Sequence, residues 1–448
     1  MTTKHPPLHL VVDREPAAAP PAGLVIGAPP RERPLVRQGY AQQRAERPAH
    51  AAPIAAADLL RYDGESHLIT FGPTGSGKTT GPVIINALEH PGSAVIIDPK
   101  GDVYEATADY RRDVLGQQVV LLDMRGPNPR SGCFNPLDAF AYTQDGTSIV
   151  ARAVANVLAM HDPREQAFWH NWSQSMLTAG VAYLLDHLPP EESNLGSLFD
   201  LFNNDDVIHR IAQLLDEHGP QIERCIYATF AGFLQLSDRE TRPSVLGSTQ
   251  QHLMLWESNL IRSLTDHTSF DLQAFVEGEP MSIYIVPGAL RVDAYAPVLR
   301  LWFAGLMQAL MARQGQRLPR HRTLMMCDEA AALGKLDAFV TASTLLRSCG
   351  LQLWTFWQNP AQMEVYGAAA RTIVDNAGVV QLLGARNHRM AQEFATLTGG
   401  ISADEIMSMG PDEQMLMVDG GRPKRVRRAR YFEVPEIARK LGAHARGQ

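Results

Sequence analysis

The chain has 448 residues, room for about three domains at roughly 150 residues each, which disfavours a single-domain reading. Its 45% apolar content, with 35 Gly and 30 Pro, is a globular composition that excludes collagenous and wholly disordered classes. With 41 Lys and Arg against 48 Asp and Glu, the net charge is −7, so no global basic field gathers nucleic acid and any grip on a polyanion must come from local patches.

Residues 1–55 hold ten of the prolines, several alanine runs and scattered Arg, a composition that resists helix and sheet and predicts a flexible arm. Within it, Gly23-Leu24-Val25-Ile26-Gly27 reads as a short strand docking on the main body. From about residue 60, short apolar runs alternate with helix-length segments. His67–Phe71, Ala94–Asp98, Val119–Asp123, Ser282–Val286, Thr323–Cys327, Leu351–Phe356 and Val379–Leu383 are the predicted strands. That alternation is the pattern of a mainly parallel sheet with helical crossovers, an α/β fold. Between about 140 and 245 the strand signals stop, and Ile149–Met160, Phe168–His187 and Val207–His218 have the length and apolar spacing of helices. An all-α insertion inside an α/β domain is expected.

A spanning helix needs about 20 mainly apolar residues. The longest uncharged run, Gln166–Leu185, is broken by Gln166, His170, Asn171, Ser173, Gln174 and Ser175, and Met1–Leu10 lacks the apolar core of a secretory signal. The chain is therefore expected to be soluble and cytoplasmic. Cys133, Cys225, Cys327 and Cys349 are far apart with no C-x-x-C pair, which reads as reduced thiols acting as small buried hydrophobes, with no zinc site. His161, His170 and His388 form no metal-spaced cluster. Near the end, Gly420–Tyr431 concentrates Arg422, Lys424, Arg425, Arg427, Arg428 and Arg430. It reads either as an exposed charged edge strand or as a nucleic-acid contact.

The chemistry starts at Gly72-Pro73-Thr74-Gly75-Ser76-Gly77-Lys78-Thr79, which fits G-x-x-x-x-G-K-[ST] without a mismatch and sits between a predicted strand and a predicted helix. Glycines let such a loop curl so that successive N–H groups face the phosphates. Lys78 then neutralises the β and γ oxygens and Thr79 holds Mg²⁺. The nucleotide-binding set is Gly72, Thr74, Gly75, Ser76, Gly77, Lys78, Thr79 and Thr80, and the expected ligands are ATP and Mg²⁺. Farther on, the apolar run Thr323–Cys327 ends in Asp328-Glu329. Asp328 is placed to order Mg²⁺ and Glu329 to take a proton from the attacking water. A kinase has no need of that second carboxylate, and no N-K-x-D motif marks a common GTPase. Gln358, just past Leu351–Phe356, is positioned to sense the γ-phosphate and orient water, or else is a turn residue beside Asn359-Pro360. Arg347 follows Glu329 by 18 positions. If Asp337–Ser348 is helical, its twelve residues span about 18 Å, which places Arg347 badly for its own nucleotide. It reads as an arginine acting on a neighbouring subunit, or as a helix-terminal Arg favoured by the dipole.

The predicted division is a Pro/Ala-rich arm (1–55), a nucleotide-binding domain in two parts (56–140 and 246–435), an all-α domain (141–245) and a tail (436–448).

These residues, taken in order, resemble the type IV secretion coupling proteins, the TraG-like and TraD-like ATPases of conjugation. The likeness runs from about His67 to Tyr431. It rests on Thr74–Thr79, Ile96-Ile97-Asp98-Pro99-Lys100-Gly101-Asp102, Phe134-Asn135-Pro136-Leu137-Asp138, Glu240-Thr241-Arg242-Pro243-Ser244-Val245 and Tyr284-Ile285-Val286-Pro287. Asp328-Glu329-Ala330-Ala331-Ala332-Leu333-Gly334, Arg347-Ser348-Cys349-Gly350 and Trp357-Gln358-Asn359 complete it. The resemblance implies a RecA-like P-loop ATPase domain interrupted by an all-α domain and assembled as a homo-hexamer. It implies a motor that drives relaxase-bound single-stranded DNA, or effector proteins, into a secretion channel. Carried over by motif, Arg347 matches the family's finger arginine and Gln358 its sensor glutamine. Members of this family begin with transmembrane helices, and this sequence shows none, so residues 1–55 are expected to dock to a membrane-anchored partner. The alternatives are an FtsK- or HerA-like duplex DNA pump, a superfamily 2 helicase and an ATP-switched substrate adaptor.

Overall fold

A computed structural model describes residues 22–30, 53–142, 145–159 and 166–441. Most of the predicted arm, His161 and the end of the predicted tail lie outside the described residues. Eleven strands are present among the described ones: β1 (Leu24–Gly27), β2 (Leu60–Tyr62), β3 (His67–Phe71), β4 (Ala94–Ile97), β5 (Gln118–Asp123), β6 (Met281–Val286), β7 (Thr323–Cys327), β8 (Leu351–Trp357), β9 (Ala377–Leu382), β10 (Glu413–Val418) and β11 (Lys424–Arg427). All seven strands expected in the body of the chain appear, with ends shifted by no more than two residues.

Nine of these strands form one sheet in the order β11-β10-β9-β3-β8-β7-β4-β6-β5. Every pairing from β9 to β5 is parallel, and only β10 and β11 run antiparallel at one edge. The central strands read as continuous apolar runs because helices cover both faces. Alternate side chains then enter two separate cores: Ile69, Phe71, Val95 and Ile97 point into one, and Leu68, Ala94 and Ile96 into the other. β3 lies between β8 and β9, so the strand that ends in Asp328 is separated from the strand that ends in Gly72 by one intervening strand, β8.

The short strand expected at Gly23–Gly27 is β1. It pairs antiparallel with β2, and Ala28 bridges to Arg427. Buried Asn86 holds it to the body, its side chain accepting from Val25 N (2.7 Å) and donating to Val25 O (2.9 Å).

Between β5 and β6, which are sheet neighbours, the chain is helical from Pro136–Phe140 through Leu272–Glu277, longer than the stretch to 245 that sequence spacing picked out. Its entry and exit strap together where Phe134 N donates to Leu264 O (2.8 Å) and Ser269 N to Cys133 O (2.9 Å). Trp302, from the helix Ala296–Met311, stacks on Phe134 and donates its indole N–H to Phe134 O at 2.7 Å. The long helix Ala167–His187 buries Met176, Leu177, Val181 and Leu184 at the centre of this region. None of the described helices is long and apolar enough to cross a membrane. The cysteines are free, but only Cys327 and Cys349 are buried. Cys225 is exposed, and half-buried Cys133 stands beside Asp266 and His267 at the surface.

Candidate functional site

The loop after β3 is fastened at its start on both sides: Gly72 N donates to Trp357 O (2.9 Å) and Leu383 N to Phe71 O (2.7 Å). Gly72 admits no side chain, because a Cβ there would lie 2.5 Å from Ser76 Oγ. Gly75 and Gly77 have φ of 79° and 87°, the left-handed region that a curled loop needs and that glycine occupies without penalty. The first turn beyond the loop is wide. Pro82 has no N–H for the Lys78 carbonyl, which instead accepts from Val83 N at 3.3 Å, one residue later than in an α-helix. Regular helix follows over Ile84–Glu89.

Lys78 Nζ donates back across the loop to Gly72 O (2.6 Å) and more weakly to Pro73 O (3.4 Å). Burial lowers its pKa, and nearby Asp328 and Glu329 oppose that shift. Thr79 Oγ1 donates to Asp328 Oδ2 at 2.7 Å. The Asp328 carboxyl is pushed up to about 7, chiefly by burial, with Asp98 and Glu329 adding to the rise and Thr79 and Lys78 opposing it. Its Oδ1 is buried without a hydrogen-bond partner, and so is Ser76 Oγ. A buried carboxylate oxygen and hydroxyl left unsatisfied are costly. Both are spared that cost if a hydrated cation meets the first and an anion the second.

Gln358, at the end of β8, donates its amide to both oxygens of Glu329 (3.2 and 3.3 Å). Its backbone N–H donates to Gln362 Oε1 at 2.7 Å, so it both opens the turn at Asn359-Pro360 and reaches Glu329. Thr74 to Thr80, Asp328, Glu329 and Gln358 all line one cavity of about 780 Å³.

Arg347 is not brought to this cavity. It sits just before β8, where its Nη1 donates to Ser66 Oγ (3.3 Å) at the entry of β3, the opposite end of the strand from the loop. The helix ends at Leu345 and a 3₁₀ turn carries Arg347. What separates it from its own site is the length of β8 rather than a helix.

Several residues of the cavity went unassigned by sequence. Asp98, at the end of β4, accepts from Gly101 N (3.0 Å) and Tyr104 N (2.9 Å). Burial raises its pKa to about 6, those backbone hydrogen bonds opposing. Leu290, wholly exposed, and Tyr431 stand on the rim with Gln362. Only their position after other strand ends of the sheet marks them.

The Arg-rich end includes the expected edge strand, β11, but most of its arginines are paired rather than free to solvent. Arg425 meets Glu413 (3.5 Å) and Ser408, Arg427 meets Glu433 (3.5 Å), and Arg430 meets Asp412 (3.0 Å). Arg428 spends its guanidinium on the carbonyls of Glu413, Ser76 and Leu383. Arg422 and Lys424 remain exposed.

Comparison with known proteins agrees with this geometry. The model of the family described as "Type IV secretory system Conjugative DNA transfer" matches residues 31–403. Among curated proteins, VirD4 of Agrobacterium fabrum is 26% identical over 287 residues, covering 63% of this chain and 41% of VirD4. The conjugal transfer protein TraG of Escherichia coli is 26% identical over 363 residues, covering 76% of this chain and 56% of TraG. The chain thus spans about half the length of the curated relatives it matches. Among solved structures, the plasmid coupling protein TrwB in complex with ADP and Mg²⁺ superposes with a TM-score of 0.63 at 17% identity, over 92% of this chain and 96% of that one. VirB4 of Thermoanaerobacter pseudethanolicus gives 0.54 at 14% identity, over 92% and 98%. At these identities the structural likeness shows the fold, a RecA-like ATPase architecture.

Proposed function

Because the chain belongs to the type IV secretory system conjugative DNA transfer family, we propose that it is an ATP-hydrolysing coupling protein that drives relaxase-bound single-stranded DNA, effector proteins, or both toward a secretion channel. The observation that carries the enzymatic part is one linked constellation: Lys78 and Thr79 on the loop, Thr79 bonded to Asp328 at 2.7 Å, and Glu329 held by Gln358. The TrwB structures in complex with ADP and Mg²⁺ and with non-hydrolysable ATP and GTP analogues support a nucleotide and Mg²⁺ as ligands, and ATP is the reading adopted for this chain. The family match does not favour the duplex pump, helicase or adaptor alternatives.

In this reading the N–H groups of Gly75, Gly77 and Lys78 to Thr80 face the phosphates, while Ser76 N donates within the loop to Pro73 O (3.0 Å), and Lys78 turns from Gly72 O to the β and γ oxygens. The free oxygen of Asp328 and the Thr79 hydroxyl suit Mg²⁺, which when bound supplies charge neutralisation for those oxygens. Gln358 fixes Glu329 and the attacking water with respect to each other. As the water oxygen bonds to the γ-phosphorus and the bond to the β–γ bridging oxygen breaks, the water proton passes to a Glu329 carboxylate oxygen. ADP leaves with the electron pair on its terminal oxygen. Arg347 acts on the nucleotide of a neighbouring copy in a homo-hexamer. The sheet-forming parts on either side of the helical region, which ends later than the predicted boundary at 245, serve this chemistry.

Glu329→Gln keeps one of the two hydrogen bonds from Gln358 and removes the proton acceptor. It is expected to bind ATP and to lose turnover by about 10²–10⁴-fold, and wild-type turnover in this variant would overturn the assignment. Measuring ATPase rates with no polymer, single-stranded DNA, duplex DNA and a candidate effector separates the substrate classes. A rate indifferent to all of them counts against the coupling role.

A further inference from the structure

A phosphate nest works only if the N–H groups of its loop converge, and planar peptides then force the carbonyls to diverge. In this loop four carbonyls, those of Gly72, Pro73, Thr74 and Ser76, accept from a cation. Lys78 takes those of Gly72 and Pro73 from the inside. From the outside, Arg386 Nη2 takes that of Thr74 at 2.6 Å and Arg428 Nη1 that of Ser76 at 2.9 Å. These last two peptides carry the N–H groups of Gly75 and Gly77, the two left-handed glycines. Gly75 is exposed, and an added Cβ there would meet no atom within 4 Å, so the hydrogen bond to Thr74 O is a main restraint on the peptide before it.

Resting on the nucleotide reading of this loop, we propose that Arg428 and Arg386 are its positioning residues, fixing the Ser76–Gly77 and Thr74–Gly75 peptide planes respectively so that the Gly77 and Gly75 N–H groups stay aimed at phosphate. The two differ in kind. Arg428 ties the loop to the start of β10 through Glu413 O (2.8 Å) and to the end of β9 through Leu383 O. Burial lowers its pKa only to about 10, so it remains a cation at neutral pH. The segment that follows β11 closes tightly on the wide turn beyond the loop, since a Cβ on Gly81 would lie 2.9 Å from Ala429 O. Arg386 is exposed at the rim, on the segment joining β9 to the helix His388–Thr398.

Titration of the full chain with ADP and Mg²⁺, with parallel ATPase kinetics, tests this. Arg386→Ala should weaken ADP binding and raise KM for ATP about fivefold. Arg428→Lys, which keeps the charge but loses the fork, should do so about tenfold, or about 1.4 kcal/mol. In each, KM should change by a larger factor than kcat. Arg386→Gln, still able to donate to Thr74 O, should recover most of the loss, which a purely electrostatic role forbids. Arg422→Ala, on the exposed edge, should bind as wild type. Wild-type ADP affinity in both Arg386→Ala and Arg428→Lys would overturn the clamp while leaving the site intact. If Arg428→Lys fails to fold, Arg386→Ala with an unchanged melting temperature decides alone. A wild-type chain that binds no ADP overturns the nucleotide reading, and the clamp with it.

Discussion

Asp328→Asn should make the protein more stable and less active at once, and the stability gain should grow with pH. The Asp328 carboxyl has its pKa raised from 3.8 to about 7 by burial, so between those values the folded state binds the proton more tightly than the unfolded chain. Stability therefore falls as pH rises through that window. Relative to a side chain that never ionises, the linkage relation puts the penalty at about 1.5 kcal/mol at pH 5 and about 4 kcal/mol at pH 8. Asparagine has the same shape, still accepts from Thr79 through its amide oxygen, and carries no charge. The gain of Asp328→Asn over wild type should then widen by about 2–3 kcal/mol from pH 5 to pH 8. Urea-unfolding midpoints at the two pH values, measured in chelator to keep divalent cations away, read it directly. Adding Mg²⁺ and nucleotide should close the gap by stabilising wild type and not the variant. A gain that is the same at both pH values, or a loss, refutes the idea that a buried ionised Asp328 is the cost of this site.

Gln358→Ala frees both oxygens of Glu329 and should lower kcat by about 10²-fold with nucleotide binding retained; unchanged kcat assigns Glu329 no dependence on it. Arg347→Ala, mixed with wild type, should depress activity beyond simple dilution, and linear dilution would deny it an intersubunit role. Trp302→Phe leaves the Phe134 carbonyl without its donor in a buried setting, which should cost about 1–3 kcal/mol, seen as a lower urea midpoint; an unchanged midpoint would mean that the helical insertion is not anchored there.

The parts of this molecule that sequence makes plain are those whose physics is local. Strands buried on both faces need no alternation, so β3, β4, β6 and β7 show as bare apolar runs, and the loop and Asp328-Glu329 are marked by standing directly after two of them. β10 escaped notice because it lacks the β-branched and aromatic enrichment that marks a strand, and its buried Gln414 is explained only by distant partners, Ile26 O at 2.7 Å and the Gln381 amide at 2.6 Å. β2 is three residues long and exists through β1. Asp98 joins the site because β4 and β7 are neighbours, a fact of sheet order. Arg386 and Arg428 lie 312 and 352 positions from the loop residues they hold, beyond the reach of any spacing rule. The Arg-rich end misled because a run of like charges looks solvated until its partners, Asp412, Glu413 and Glu433, are folded against it.

Sheet order also explains why Arg347 and Gln358 have opposite outlooks. They flank one strand, Arg347 just before β8 and Gln358 just after it. Seven residues at about 3.3 Å each put about 23 Å between them, well beyond what one arginine side chain can span, so Arg347 cannot return to the nucleotide that Gln358 faces. β8 is also hydrogen-bonded on both sides, to β3 and to β7, and every one of its residues is buried. It cannot flex alone. Any movement of β8 therefore involves β3 and β7, the strands that lead into the phosphate loop and Asp328. If Arg347 serves a neighbouring copy, as proposed above, this unit holds Gln358 at one end and that arginine at the other.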